Sequence, residues 1–212
     1  MKIAPFLVAL ASSLVACEST SSSLERMYRD GAREATADGG LGSLEPSYAQ
    51  EQTNRLNAVV EMNENGEILT GKDNYYAALI LVSSDNVEHL KLAQTLALKA
   101  VQLGEQEGMR VAAESVDKQL LKQGRNQRFG TQFVFDAISN QWRLYPVDPL
   151  TTDAERKDWG VPSQAELMER ERALNESDSL KKLQLQDTPT EHELEAERLR
   201  ALGEKTSDED QE

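Results

Sequence analysis

The chain is short of the residue types on which most protein chemistry is built. It has one cysteine, Cys17, so no intramolecular disulfide can staple it. Its two histidines, His89 and His192, are far apart, whereas a metal site needs three or four ligands brought in from different elements. Aromatic residues make up 5%, less apolar weight than a fully packed domain of 212 residues carries. Positive charge is scarce too: 23 Lys and Arg stand against 37 Asp and Glu, for a formal net charge of −14. Such a chain is repelled by nucleic acid and by anionic lipid surfaces, and nucleic-acid binding is excluded on that ground. No stretch reaches 18 consecutive apolar residues, the length a transmembrane helix needs. These absences predict one modest domain with polar arms.

The first seventeen residues are the most informative. Met1-Lys2 is a minimal positive start, and residues 3–15 form an apolar run of secretory-signal length. The run closes on Leu14-Val15-Ala16-Cys17. This resembles the lipobox read by lipoprotein signal peptidase. The resemblance implies cleavage before Cys17 and a diacylglycerol thioether on its sulfur, with small Ala16 giving the peptidase access. Glu18, in place of an aspartate, implies export to the outer membrane, on the periplasmic side. Two or three acyl chains anchor a protein almost permanently, because each buried CH₂ adds about 0.8 kcal/mol.

Four segments follow from composition and periodicity. Residues 1–16 are the signal peptide, and 17–52 read as a lipidated Cys with a flexible polar tether. In the tether Ser19-Thr20-Ser21-Ser22-Ser23 is spacer-like, residues 24–33 can form a short helix, and Gly39-Gly40-Leu41-Gly42 and Pro46 break order. Residues 53–162 form the predicted folded domain. There the apolar run 75–82 reads as a buried helix. Val87, Leu90, Ala93, Leu96, Ala97, Ala100, Val101 and Leu103 fall near helical spacing as a core-facing stripe, as do Val111, Ala112, Val116, Leu120 and Leu121. The two stripes predict an antiparallel helical hairpin with stops at Gly104 and Gly124. The period then changes: Phe129, Phe133 and Phe135 alternate with other residues, a turn falls at 139–141, and Trp142 to Tyr145 resumes, which predicts a β-hairpin. Thr152 with Glu155, and Ser163 with Glu166, are capping boxes that open two further helices. Residues 163–212 form a charged arm. From Glu166 onward it holds fifteen acidic and seven basic residues, so it reads as solvated helix and disordered tail rather than core. The fold class is therefore mainly α: a small helical domain with an antiparallel helical hairpin and a short β-hairpin, flanked by a polar tether and a charged helical or disordered arm.

One loop stands out. No acidic residue occurs between Asp117 and Asp136, while Lys118, Lys122, Arg125 and Arg128 gather there. Three readings are open. Cations suit a helix C-terminus, which explains the two lysines better than the two arginines. The group can also seat a carboxylate, phosphate or acidic partner segment. Or the acidic C-terminal arm folds back onto it. As a binding site it comprises Lys122, Arg125, Gln127, Arg128 and Gln132. The run Gly124-Arg125-Asn126-Gln127-Arg128-Phe129-Gly130-Thr131-Gln132 resembles the G-x-x-Q-x-aromatic-G-T-Q signature of an uncharacterised bacterial domain-of-unknown-function family. The resemblance covers residues 75–162 and implies paired helices before the signature. After it come a hairpin, a Pro-Asp segment (here Pro146 to Asp148) and a helix end with Arg156 and Gly160. This chain departs from the family pattern at Ser83-Ser84 and at Asp117-Lys118, and the resemblance implies no activity. Read physically, Gly130 permits a positive φ or a close approach, and the Gln127 and Gln132 amides can satisfy buried backbone groups between loop and helix.

Other chemistry is thin. Ser83, Ser84, Asp85 and His89 lie too close in sequence for the usual catalytic triad, and no G-x-S-x-G elbow occurs. No acid–base carboxylate pair can be singled out, and Trp142, Tyr145 and Trp159 suit core packing as well as a pocket. No catalytic residue, metal or cofactor is assigned. The expected function is a membrane-anchored envelope lipoprotein acting as an interaction or scaffold module, held by lipid on Cys17, with an envelope protein as partner. The alternatives are a small anionic-ligand-binding lipoprotein using the Arg125/Arg128 loop, and an envelope hydrolase.

Overall fold

The computed structural model describes residues 19–37, 45–136 and 138–176. They are mostly helical with one small two-stranded sheet, as predicted. They divide into two compact units between Arg125 and Asn126, inside the stretch predicted as one domain over 53–162.

The first unit contains α1 (Thr20–Ala35), α2 (Pro46–Glu64), α3 (Gly71–Leu81), α4 (Val87–Gln102) and α5 (Gly108–Lys122). The helices run alternately up and down. Ser21 near the start of α1 meets Thr70 at the start of α3, and Gln52 in α2 reaches Ser83 just past its end. Gln94 of α4 pairs with Gln119 of α5. Alanine dominates the core where α3, α4 and α5 meet: Ala77, Ala78, Ala93, Ala97, Ala100, Ala112 and Ala113 are fully buried. Small side chains let helix axes approach closely, which is how so few aromatics suffice to pack the unit. Leu81, Leu90 and Leu96 fill the remaining volume.

The predicted flexible tether is corrected in two places. The serine run is a helix start: Ser19 is the N-cap of α1, accepting from the Ser22 amide at 3.2 Å, and Leu24 behind it is fully buried. Serine favours this position because its hydroxyl satisfies an otherwise orphan amide. Pro46 begins α2 rather than breaking order, because its fixed φ suits the first turn of a helix and its missing N–H has no partner to lose there. The glycine run at 39–42 lies outside the described residues, as do Cys17 and the arm beyond 176.

Asp73 secures α1 to the bundle. It completes a capping box with Thr70, taking the Thr70 amide at 2.7 Å and the Leu69 amide at 3.0 Å, and it also accepts from the Ser21 hydroxyl. Burial by itself pushes the Asp73 carboxyl up; hydrogen bonds from Ser21, the two amides and Thr70 outweigh it and hold the group below its ordinary 3.8.

The second unit starts from the antiparallel hairpin of β1 (Phe133–Asp136) and β2 (Gln141–Leu144), paired Phe133 to Leu144 and Phe135 to Trp142. Asp136 builds the turn, accepting from the Ile138 amide at 3.0 Å and the Ser139 hydroxyl at 2.6 Å. Phe129, predicted in the alternating pattern, lies before the hairpin instead. It is fully buried with its ring 4.6 Å from Trp159 at the end of α6 (Asp153–Asp158). The helix α7 (Gln164–Glu176) corrects the solvated-arm expectation for its span. Leu167 is buried, and α7 covers the free edge of β2 with side chains. Glu171 accepts the Leu144 amide at 2.6 Å, while Asn175 both accepts from and donates to the Trp142 backbone. Capped this way, the strand edge cannot template pairing with another chain.

Two predictions follow from these anchors. Asp73→Ala lowers stability by about 1–2 kcal/mol at pH 7, the usual worth of a cap and its bonds. A carboxyl held low stabilises the fold fully above its ordinary value and loses that contribution as pH falls through the folded value. In denaturant titrations the gap between variant and parent therefore narrows as pH falls below the ordinary carboxylate range, and a gap independent of pH contradicts this role. Gly130 has φ +88°, and a Cβ there would sit 2.3 Å from Leu167 Cδ1. Gly130→Ala costs about 2–4 kcal/mol. The loss appears as raised amide exchange in residues 126–176 with protection of α3–α5 unchanged, and adding Leu167→Ala relieves the clash without restoring the backbone conformation.

Candidate functional site

The segment from Gly124 to Gln132 begins where α5 ends. A Schellman turn at Gly124 closes the helix, with the Arg125 amide returning to the Leu120 carbonyl at 3.0 Å and the Gly124 amide to Leu121 at 2.9 Å. Beyond it Gln127 is completely buried and organises the second unit. Its Nε2 donates to the carbonyls of Gln132 at 3.0 Å and Tyr145 at 2.8 Å, and its Oε1 accepts the Gln132 amide at 2.9 Å. Its own backbone bridges Pro146 and Asp148. The side chain therefore substitutes for a missing strand, using three of its four hydrogen-bonding positions. Sequence reasoning assigned this amide to buried backbone; it serves loop and hairpin, not loop and helix.

The five predicted binding residues are divided between the units: Lys122 and Arg125 belong to the first, and Gln127, Arg128 and Gln132 to the second. Lys122 pairs with Asp85 at 2.7 Å, and that hydrogen bond holds the Asp85 carboxyl below its ordinary value. Lys118 donates to the Val82 carbonyl at 2.6 Å, placing a cation on the C-terminus of α3. Arg128 pairs with Glu155 and lies 5.3 Å over the Phe129 ring. Gln132 is held through its backbone, its amide nitrogen reaching only as far as the Thr131 hydroxyl at 3.0 Å. Arg125 is exposed. Arg156, at the helix end the family resemblance points to, is buried and tied to the Thr151 carbonyl and to Asp153.

Ser84 and His89 do meet, Oγ to Nδ1 at 2.9 Å. The Ser84 hydroxyl also accepts the Asn86 amide at 3.1 Å, and Asp85 turns to Lys122 rather than to His89. The arrangement shapes the entry to α4 and lacks the carboxylate–imidazole contact of a triad. Among the described residues no three His, Cys, Asp or Glu side chains cluster as metal ligands.

A feature missed in the sequence is a cleft of about 130 Å³ among α1, α2 and α3, walled by Met27, Tyr28, Ala32, Tyr48, Leu79 and Ile80. Arg55 lines it, its side chain only 9% exposed, bound to Glu34 at 2.8 Å and to Gln52 at 3.3 Å. Gly31 makes room for it: a Cβ there would stand 3.1 Å from Arg55 Nε. A glycine inside a helix was the available signal, since it costs about 1 kcal/mol against alanine and marks a close approach. The cleft can hold a small apolar group beside a guanidinium whose charge Glu34 already balances. It is well below the volume of roughly 300 Å³ at which small-molecule sites begin. Comparison with protein-family models, with curated proteins and with solved structures returns no match.

Gln127→Ala removes the side-chain partner of the Tyr145 carbonyl and the Gln132 amide and one of the two donors to the Gln132 carbonyl, and costs about 2–4 kcal/mol. Gln127→Glu keeps the acceptor but loses the donors, and it also unfolds the second unit. Thermal unfolding followed by tryptophan fluorescence measures both, because Trp142 and Trp159 lie in that unit. A Gln127→Ala variant as stable as the parent would refute the assignment.

Proposed function

We propose that the chain is an envelope lipoprotein, anchored in the outer membrane by acyl groups on Cys17, that serves as an interaction or scaffold module. The observation that carries the reading is Leu14-Val15-Ala16-Cys17 closing a positively started apolar run, with Glu18 behind it. No described helix is long and apolar enough to cross a membrane. The periplasmic side of the outer membrane is the proposed location, and an envelope protein the proposed partner.

The local pairing of the basic loop supports a module over a ligand receptor. With Lys122 on Asp85 and Arg128 on Glu155, a small anion has to displace a carboxylate at each cation. The alternative of an anionic-ligand-binding lipoprotein is weakened to that extent. A hydrolase is weakened by Asp85 lying on Lys122 rather than on His89. The nine-residue run 124–132 is proposed as a fold signature of the domain-of-unknown-function family it resembles, its roles here being a helix stop, a buried amide hub and a tight glycine.

Growth with radiolabelled palmitate tests the anchor. Label enters the parent protein and not Cys17→Ala, and density fractionation places the parent with outer membranes and the variant in the soluble fraction. Unlabelled, soluble parent protein sinks the reading. A photocrosslinking residue at exposed position 125 then gives a discrete adduct in cells if the protein is an interaction module, and none if it is not.

A further inference from the structure

Proposing a lipid on Cys17 normally implies a folded domain hanging from a spacer. Here the first helix begins at Thr20 and is already part of the packed unit, with Leu24 fully buried and Ser21 bonded to Thr70 and Asp73. Three residue steps separate Cys17 from Thr20, and a fully extended chain spans at most about 3.5 Å per residue. The start of α1 is thus held within about 10 Å of the backbone of the acylated cysteine.

This end of the first unit is built from the start of α1, the 65–70 connection before α3 and the 103–107 connection between α4 and α5. Two large apolar side chains are exposed on it: Leu69 at 70% and Leu103 at 50%, the latter expected from its spacing to face the core but lying past the last turn of α4 as its C-cap. Leu69 lies next to Thr70, the residue that Ser21 contacts, and its amide donates to the same Asp73 carboxylate that Ser21 binds. Leu103 sits beside Gly71, its Cβ 3.3 Å from where a Gly71 Cβ would be. Glu67, Glu105 and Glu107 lie on the same two connections, with Lys72 in the first turn of α3. The end is therefore apolar at two points and acidic around them.

We propose that this end is a membrane-contact surface, on which Leu69 and Leu103 enter the interfacial zone of a zwitterionic bilayer and set the first unit upright on it. The inference rests on the lipid anchor at Cys17 proposed above. The anchor keeps the two leucines beside the lipid at high effective concentration, so weak apolar contacts suffice. The acidic rim excludes an anionic surface as the preferred one. The parallel course of α1 and α3 then carries the Arg55 cleft and the start of α4 away from the membrane, by up to about 24 Å over the sixteen residues of α1.

Cys17 is the only cysteine, and its thioether does not react with maleimides, so introduced thiols label cleanly. The full-length lipidated protein is purified with Leu69→Cys, Leu103→Cys or, at the opposite end, Glu88→Cys. Each is labelled with an environment-sensitive fluorophore and reconstituted in phosphatidylcholine vesicles. Mass spectrometry confirms acylation and circular dichroism confirms folding. Probes at 69 and 103 are expected to emit blue-shifted and to lose at least half their intensity to nitroxide-bearing lipid, with the probe at 88 unaffected by either measure. Adding phosphatidylglycerol reduces the quenching. Aqueous emission at 69 and 103 in acylated, vesicle-bound protein overturns this proposal and leaves the anchor standing. A blue shift without quenching by lipid assigns the patch to a protein contact and also overturns it. Absence of acyl groups on Cys17 overturns the anchor and this proposal together.

Discussion

The Asp73 carboxylate joins the N-terminal helix to the rest of the bundle. It caps α3 through two backbone amides and holds Ser21 of α1 with a third bond, so one buried charge fixes both where α3 starts and where α1 lies. Burying a carboxylate is costly unless hydrogen bonds replace its water, and here four donors do so. Once α1 is fixed, its far half forms a wall of the cleft with α2 and α3, and Gly31 admits Arg55. The proposed lipid anchor then acts on a rigid body instead of the end of a spacer.

The second unit depends on an uncharged version of the same device. Gln127 can be buried because its amide meets three backbone groups, the Tyr145 carbonyl and both the amide and the carbonyl of Gln132. Gly130 beside it is pressed against Leu167, which commits the start of α7 to the unit. The side chains of α7 close the edge of β2. A segment whose composition is that of a solvated arm thereby contributes one buried leucine and two side-chain anchors, which is enough to hold a two-stranded hairpin that alone would be marginal.

Charge explains the basic loop without a ligand for most of its members. The cations were visible in sequence as a gap in the acidic residues, but their partners were not. Asp85 lies 37 positions before Lys122, and Glu155 lies 27 after Arg128. Pairings over such separations follow from how helices and loops pack, not from any local pattern. The helix-terminus reading holds for Lys118, in an unforeseen form: the C-terminus it serves is that of α3, not its own helix.

Helices α3, α4 and α5, the hairpin and the Ser163 capping box were legible in the sequence because each obeys a local rule of period, cap or turn; of the expected Thr152 box only the hydroxyl cap forms, because the Glu155 carboxylate pairs with Arg128. The serine run and Pro46 were misread because both residue types have two opposite local meanings. Serine suits a spacer and an N-cap, and proline ends helices and begins them. Phe129 fitted an alternating pattern by chance of spacing, and only its packing on Trp159 removes it from the strand. The sequence by itself determined the mainly helical class, the signal-like start and the strong negative charge. Tertiary structure alone decided that α1 belongs to the bundle, that Gln127 is a buried hub and that Arg55 lines a cleft. The physical reason is that each of these depends on partners beyond a single turn, from Gln132 and Tyr145 for Gln127 to Glu34 for Arg55 and Asp73 for Ser21, whereas periodicity and capping report only on neighbours within a turn.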